Sequence, residues 1–174
     1  EGIGVIVLKR LEDAERDKDR IYAVIKGVGA SSDGRATSVV APRVEGGELA
    51  LQRAYSMAGI DPKTVELIEA HGTGTVVGDA SEIEILTRVL GFRDAESSPR
   101  CAVGTVKSMI GHAMPAAGMA ALIKTALALY HKILPPTLHC EEPNPKFEVE
   151  KKNFYINTET RPWIHGQQDI PRRA

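Results

Sequence analysis

Two of the five histidines in this chain stand where an imidazole can do chemistry. His71 ends the apolar run TVELIEA and is followed at once by GTGT, while His112 follows VGTVKSMIG and precedes AMPAAG. Each lies just past a strand signal and just ahead of a helix signal, in a glycine-rich turn. In adjacent strands of an α/β sheet such positions converge at the carboxyl edge, where ligands bind. Two neutral imidazoles aimed at one point make a donor pair for an oxygen that gains negative charge during a reaction. One such histidine alone is better explained as satisfying its turn. The matched pair points to a site.

Other chemistries fit less well. The run from Gly72 to Gly78 joins a strand to a helix as a dinucleotide fingerprint does, but its GxGxxxG spacing is one residue too long. An imidazole and the hydroxyls of Thr73 and Thr75 also stand where a pyrophosphate loop carries small residues, and no GxxxxGK[ST] occurs. The histidines are scattered, without HExxH or paired cysteines, so neither a metal nor a bound cofactor is expected. His139 beside Cys140 reads as incidental, His131 as a partner for helix C-terminal carbonyls, and His165 as surface. Cys101 opens a strand and Cys140 lies in a loop, neither of them a nucleophile's setting.

The elements that must position the histidines follow from periodicity. Strand signals run over Gly4–Lys9, Tyr22–Ser31, Val65–His71, Cys101–Ser108 and Phe154–Thr160, and the first two could pair antiparallel. Helix signals cover Gly46–Gly59, a stretch opening at Asp79 with Glu82 as its capping-box partner, and a third from Pro115 to before Pro135. Helices alternating with strands across short joints give an α/β layered domain. The third helix is small or apolar on nearly every face, so another chain or more of the same protein should cover it. Lys9 to Arg20 is a mixed-charge run expected in a surface turn or short helix, and 138–153 a proline-punctuated surface loop. With 22 basic and 23 acidic residues, charge does not drive binding to nucleic acid or a membrane surface. Two unpaired cysteines and no signal peptide suggest a reduced, cytoplasmic setting. The absence of an initiator methionine and of a closing element after DIPRRA suggests a fragment cut at both ends.

EAHGTGTVVGD, VGTVKSMIGHAMPAAG and KILPPTLH resemble, in order and spacing, hallmark segments of the β-ketoacyl synthases, and EGIGVIVLKRLEDA resembles a strand of the same family. The resemblance runs from residue 1 to about residue 163 and is to the C-terminal half. It implies a thiolase-like fold, αβαβα when complete, and a decarboxylative condensation. An acyl group rides on a cysteine of the other half, and a malonyl-type extender arrives on an acyl carrier protein. The resemblance implies that His71 and His112 hydrogen-bond the extender's thioester oxygen, that Lys107 organises the second histidine and its surroundings, and that Thr73 and Thr75 contact the phosphopantetheine arm. It also implies a homodimer of the full enzyme, with no cofactor bound by this domain.

Met109 replaces the asparagine usual in polyketide-type KSNIGH, Ala80 the proline of GDP, and Met114-Pro115 is a less usual pair. Ala121, where bacterial fatty-acid members often carry glutamate, favours the polyketide type. No segment resembles the family's nucleophile elbow or its closing glycine-rich segment, so the piece alone should not condense anything. Two other readings are a ketosynthase-like decarboxylase with a different nucleophile and a non-catalytic partner subunit. Retention of both histidines and Lys107 argues against the latter.

Overall fold

The computed structural model describes residues 1–34, 42–92, 101–165 and 169–174. Its strands are β1 (Leu67–Glu69), β2 (Cys101–Gly104), β3 (Ile133–Leu134), β4 (Phe154–Ile156) and β5 (Arg161–Pro162). Its α-helices are α1 (Leu11–Arg16), α2 (Val44–Ala58), α3 (Val76–Leu90), α4 (Lys107–Ile110) and α5 (Pro115–His131). β1, β2 and β4 form a parallel sheet with β2 in the middle, and β3 and β5 pair as an antiparallel ribbon.

The sequence alternation decides which helix covers which face. Side chains on a strand alternate between faces. Ile68, Cys101, Val103, Phe154 and Ile156 meet Leu86 and Leu90 of α3 and Leu51 and Tyr55 of α2. Leu67, Ala102 and Tyr155 meet Ala128 and Leu129 of α5, together with Trp163. The sheet is therefore sandwiched, and all four residues of β2 are buried, as a central parallel strand requires. This is the expected α/β layered class.

Helix ends obey local chemistry, with one correction. α2 stops at Gly59, whose left-handed φ of 62° suits glycine. α3 begins at Val76 and not at Asp79, because the Thr75 hydroxyl already accepts the Gly78 N–H at 3.2 Å. The expected Asp79–Glu82 capping box is absent. Asp79 instead accepts the N–H of Gly74 at 3.1 Å, and Glu82 turns towards His71.

The two N-terminal strand signals are also corrected: residues 1–10 and 21–34 carry no regular secondary structure. A strand needs a neighbour to bond, and neither segment enters a sheet ladder. Both pack on helices instead. Gly4 lies against Met119 of α5, and a side chain at Gly29 would collide with the Ala50 carbonyl of α2. Ile3, Val5 and Val7 keep the alternation of a strand, but with their apolar face 80–96% exposed. The middle of the charged run forms α1, with Lys9, Arg10 and Arg16 paired to Asp13, Asp17 and Asp19. α5 contributes buried Ala117 and Ala128 to the interior, while Leu122, Leu127 and Tyr130 are exposed.

His165 is not a surface residue. Its ring lies between the Glu66 carboxylate, 2.7 Å from Nδ1, and the Ile170 carbonyl, and its side chain is 11% exposed. Trp163 donates its indole N–H to the same carboxylate at 3.0 Å. The C-terminal stretch is thereby clasped to the segment entering β1.

Candidate active site

Parallel pairing of Leu67 with Ala102 and Glu69 with Gly104 sets the carboxyl ends of β1 and β2 side by side. The chain leaves β1 into the turn bearing His71. It leaves β2 through Thr105 and α4 into the turn bearing His112. The two exposed imidazoles meet edge to face, with ring centroids 5.5 Å apart and planes at 87°. The sequence spacing had placed both at this edge.

Each ring has one nitrogen engaged by the protein. Lys107 Nζ lies 3.3 Å from His71 Nδ1. An ammonium only donates, so Nδ1 accepts and the proton of the neutral ring sits on Nε2. The Met114 backbone N–H donates to His112 Nδ1 at 3.1 Å, which fixes the same tautomer there. No hydrogen bond occupies either Nε2 among the described residues. Lys107 therefore reaches the first histidine, whose ring lies beside the second.

The turns are held in different ways. Glu82 of α3 accepts the backbone N–H groups of His71 and Gly72 at 2.7 and 2.8 Å, one on each carboxylate oxygen. Gly72, at φ 41°, passes so close to Thr105 that a side chain would meet its Cβ at 2.9 Å. The second turn carries strain: Met114, just before Pro115, has φ 53° and ψ −131°, which an L-residue rarely adopts. That conformation aims the Met114 N–H at His112. Thr73 and Thr75 lie beside the first turn with their hydroxyl oxygens 3.1 Å apart, and Thr75 also caps α3. A cleft of about 270 Å³ opens beside His112, lined by Ile110, Ala113, Ala116, Ile123 and, from the N-terminal segment, Ile3.

The cysteines are unsuited to attack. Burial pushes the Cys101 thiol far above its usual range, with the Glu66 carboxylate adding to it. Cys140 is also raised, by burial first and then by Asp79 and Glu141. A thiol held neutral is a poor nucleophile.

Sequence reasoning missed several supporting residues. Glu82 was visible only as a helix-start residue. Ser108 donates to the Thr105 carbonyl and accepts the Leu138 N–H at 3.0 Å, joining the PPTLH segment to the site. Asn157, 1% exposed, donates to the Pro135 and Glu159 carbonyls at 2.8 and 2.9 Å and so ties that segment to the end of β4. A buried asparagine after a strand was the available signal.

The chain as a whole is similar to known proteins. A family model described as "Beta-ketoacyl synthase, C-terminal domain" matches residues 22–141. One subunit of the polyunsaturated fatty acid synthase of a Thraustochytrium species is 44% identical over 178 residues, and polyketide synthase PksN of Bacillus subtilis 45% over 183. Each alignment takes in 100% of this chain but only 6% and 3% of those proteins, so the chain spans a small part of their length. The ketosynthase from module 6 of the bacillaene synthase from Bacillus subtilis 168 superposes with a TM-score of 0.85 at 40% identity, covering 94% of this chain and 29% of that one. Since these alignments take in both histidine turns and the sheet that carries them, the chain belongs to the β-ketoacyl synthases, as the C-terminal half of a ketosynthase.

Proposed function

We propose that residues 1–174 are the C-terminal portion of a polyketide-type ketosynthase domain and supply its decarboxylation half-site. The extender, a malonyl-type thioester on an acyl carrier protein, loses CO2 as its carboxylate–carbon bond breaks. The electron pair moves onto the thioester oxygen as an enolate. That carbanion equivalent then attacks an acyl thioester held on a cysteine of the other half, and the cysteine leaves as thiolate. His71 and His112 donate Nε2–H to the enolate oxygen, Lys107 holds the first ring, and the Thr73 and Thr75 hydroxyls meet the phosphopantetheine arm. The observation that carries this reading is the tautomer pair: adjacent rings, both Nδ1 atoms engaged, both Nε2 protons available.

The rest of the reading has its own supports. The raised thiols of Cys101 and Cys140 favour a nucleophile elsewhere in the domain. The exposed alternating face of Ile3, Val5 and Val7 fits strands that complete a sheet with the other half. A homodimer of the full enzyme, a cytoplasmic setting and the lack of a bound cofactor belong to the same proposal.

The test separates two partial reactions of the complete domain. His71→Ala and His112→Ala should each slow CO2 release from malonyl carrier roughly 100-fold or more, the size expected for one lost oxyanion donor. The double variant should lose less than the product, since both donors serve one atom. Transfer of labelled acyl thioester onto the cysteine should survive. Full CO2 release by either variant would remove that histidine from the mechanism, and loss of acylation alone would reverse the division of labour.

A further inference from the structure

The two imidazoles and Lys107 sit on separate stretches of chain, and a donor pair works only if held to roughly 0.5 Å. The turn after β1, the connector after β2 and the start of α5 must therefore be locked to one another. Glu69 is the last residue of β1, two before His71. One of its carboxylate oxygens accepts the N–H of Val106, the residue preceding Lys107. The other lies 2.8 Å from Nζ of Lys124 on α5, the helix that starts directly after the Met114 N–H holding His112. The two side chains are 7% and 11% exposed. A single carboxylate thus touches the connector after β2 and the middle of α5, and belongs to the strand that leads into the first turn.

We propose that Glu69, with Lys124 as its anchor, is a positioning residue that sets the distance between the two histidine turns. This rests on the functional reading above. Stability alone is a weak reason to bury this pair. Removing two charges from water is costly, and apolar replacements of similar volume are commonly as stable. The Lys124 contact also lacks the alignment of a hydrogen bond, leaving Nζ without one among the described residues. What the pair does provide is a fixed register between a strand end and a helix.

The experiment uses the complete synthase domain. A single substitution leaves an uncompensated buried charge and risks the fold, so both charges are removed together. Glu69→Gln/Lys124→Met keeps an acceptor for Val106 and cuts the α5 tie, and Glu69→Met/Lys124→Met cuts both. We expect kcat for CO2 release from malonyl carrier to fall roughly 5-fold and 30-fold, in that order, since small misplacements of reacting groups are costly. The KM for malonyl carrier and the rate of cysteine acylation should stay within about twofold. Wild-type CO2 release in both variants overturns the proposal. So does a parallel fall of acylation and CO2 release that tracks a lowered melting temperature.

A second readout needs no turnover: ring 15N shifts of His71 and His112 in histidine-labelled protein. Both rings should report a single Nε2–H tautomer in the wild type and a mixture in the double-methionine variant, and unchanged shifts there overturn the proposal. If the wild-type domain releases no CO2, the functional reading falls. The nitrogen shifts then still decide whether Glu69 positions the rings.

Discussion

His71 and His112 reach one tautomer by different means, a lysine side chain for the first and a strained backbone amide for the second. The two means should fail differently. Lys107→Met frees His71 Nδ1 but leaves the ring in place, so CO2 release should fall roughly 10-fold, against roughly 100-fold for losing the ring. Met114→Gly relieves a conformation that costs a bulky residue about 1–3 kcal/mol, partly offset by glycine's own entropy. We expect it to raise stability by about 1 kcal/mol in thermal denaturation while slowing CO2 release, because the amide that orients His112 becomes loose. The histidine pair was legible in the sequence, since each ring stood in a glycine-rich turn between a strand signal and a helix signal. Glu69 and Glu82 were not, because a carboxylate inside a strand or helix looks ordinary until folding brings it to a distant amide. His165 was misread for the same reason: its partner Glu66 lies 99 positions away.

Helix α3 both closes the sheet and grips the first turn, and its N-terminus divides these duties. Thr75 caps the helix, so Thr75→Val should cost about 1 kcal/mol of stability measured by urea denaturation. Glu82, further along, accepts two amides of the site turn, and Glu82→Ala should cost roughly 2 kcal/mol and slow CO2 release as well. Beneath α3, burial raises Tyr55 to about 12, with Cys101 adding, and raises the Cys101 thiol as well. Above about pH 8.5 for the thiol and about pH 10 for the phenol, the unfolded chain sheds protons that the folded chain keeps. Their contribution to stability should therefore be intact below about pH 8.5 and fall as pH rises, and Cys101→Ala should remove most of the first part of that fall, the less buried Cys140 keeping the rest. Native Cys101 should also resist iodoacetamide at neutral pH. Helices α2, α3 and α5 and the cores of three strands were readable from periodicity, whereas the start of α4 was read as the end of the strand Cys101–Ser108. Tyr22–Ser31 had the composition of a strand without its ladder, because composition does not reveal whether a neighbour exists.

The apolar surface left open sets the behaviour of the whole chain. Ile3, Val5, Val7, Val24, Ile25 and Val28 are 45–96% exposed, and α5 adds Leu122, Leu127 and Tyr130. Exposed apolar patches of this kind drive association. The 174-residue chain alone should self-associate in sedimentation velocity, and a well-behaved monomer would contradict this reading of the uncovered helix. The strand order also sets a timetable for synthesis. β2 takes one neighbour from residues made before it and the other, β4, from residues made about 50 positions later. Contacts so distant in sequence form slowly. A nascent chain halted on the ribosome near residue 150 would carry both histidines yet leave one edge of β2 open. Protease should cut it around Cys101 until Phe154 emerges, so the histidine turns are translated well before they are locked into place.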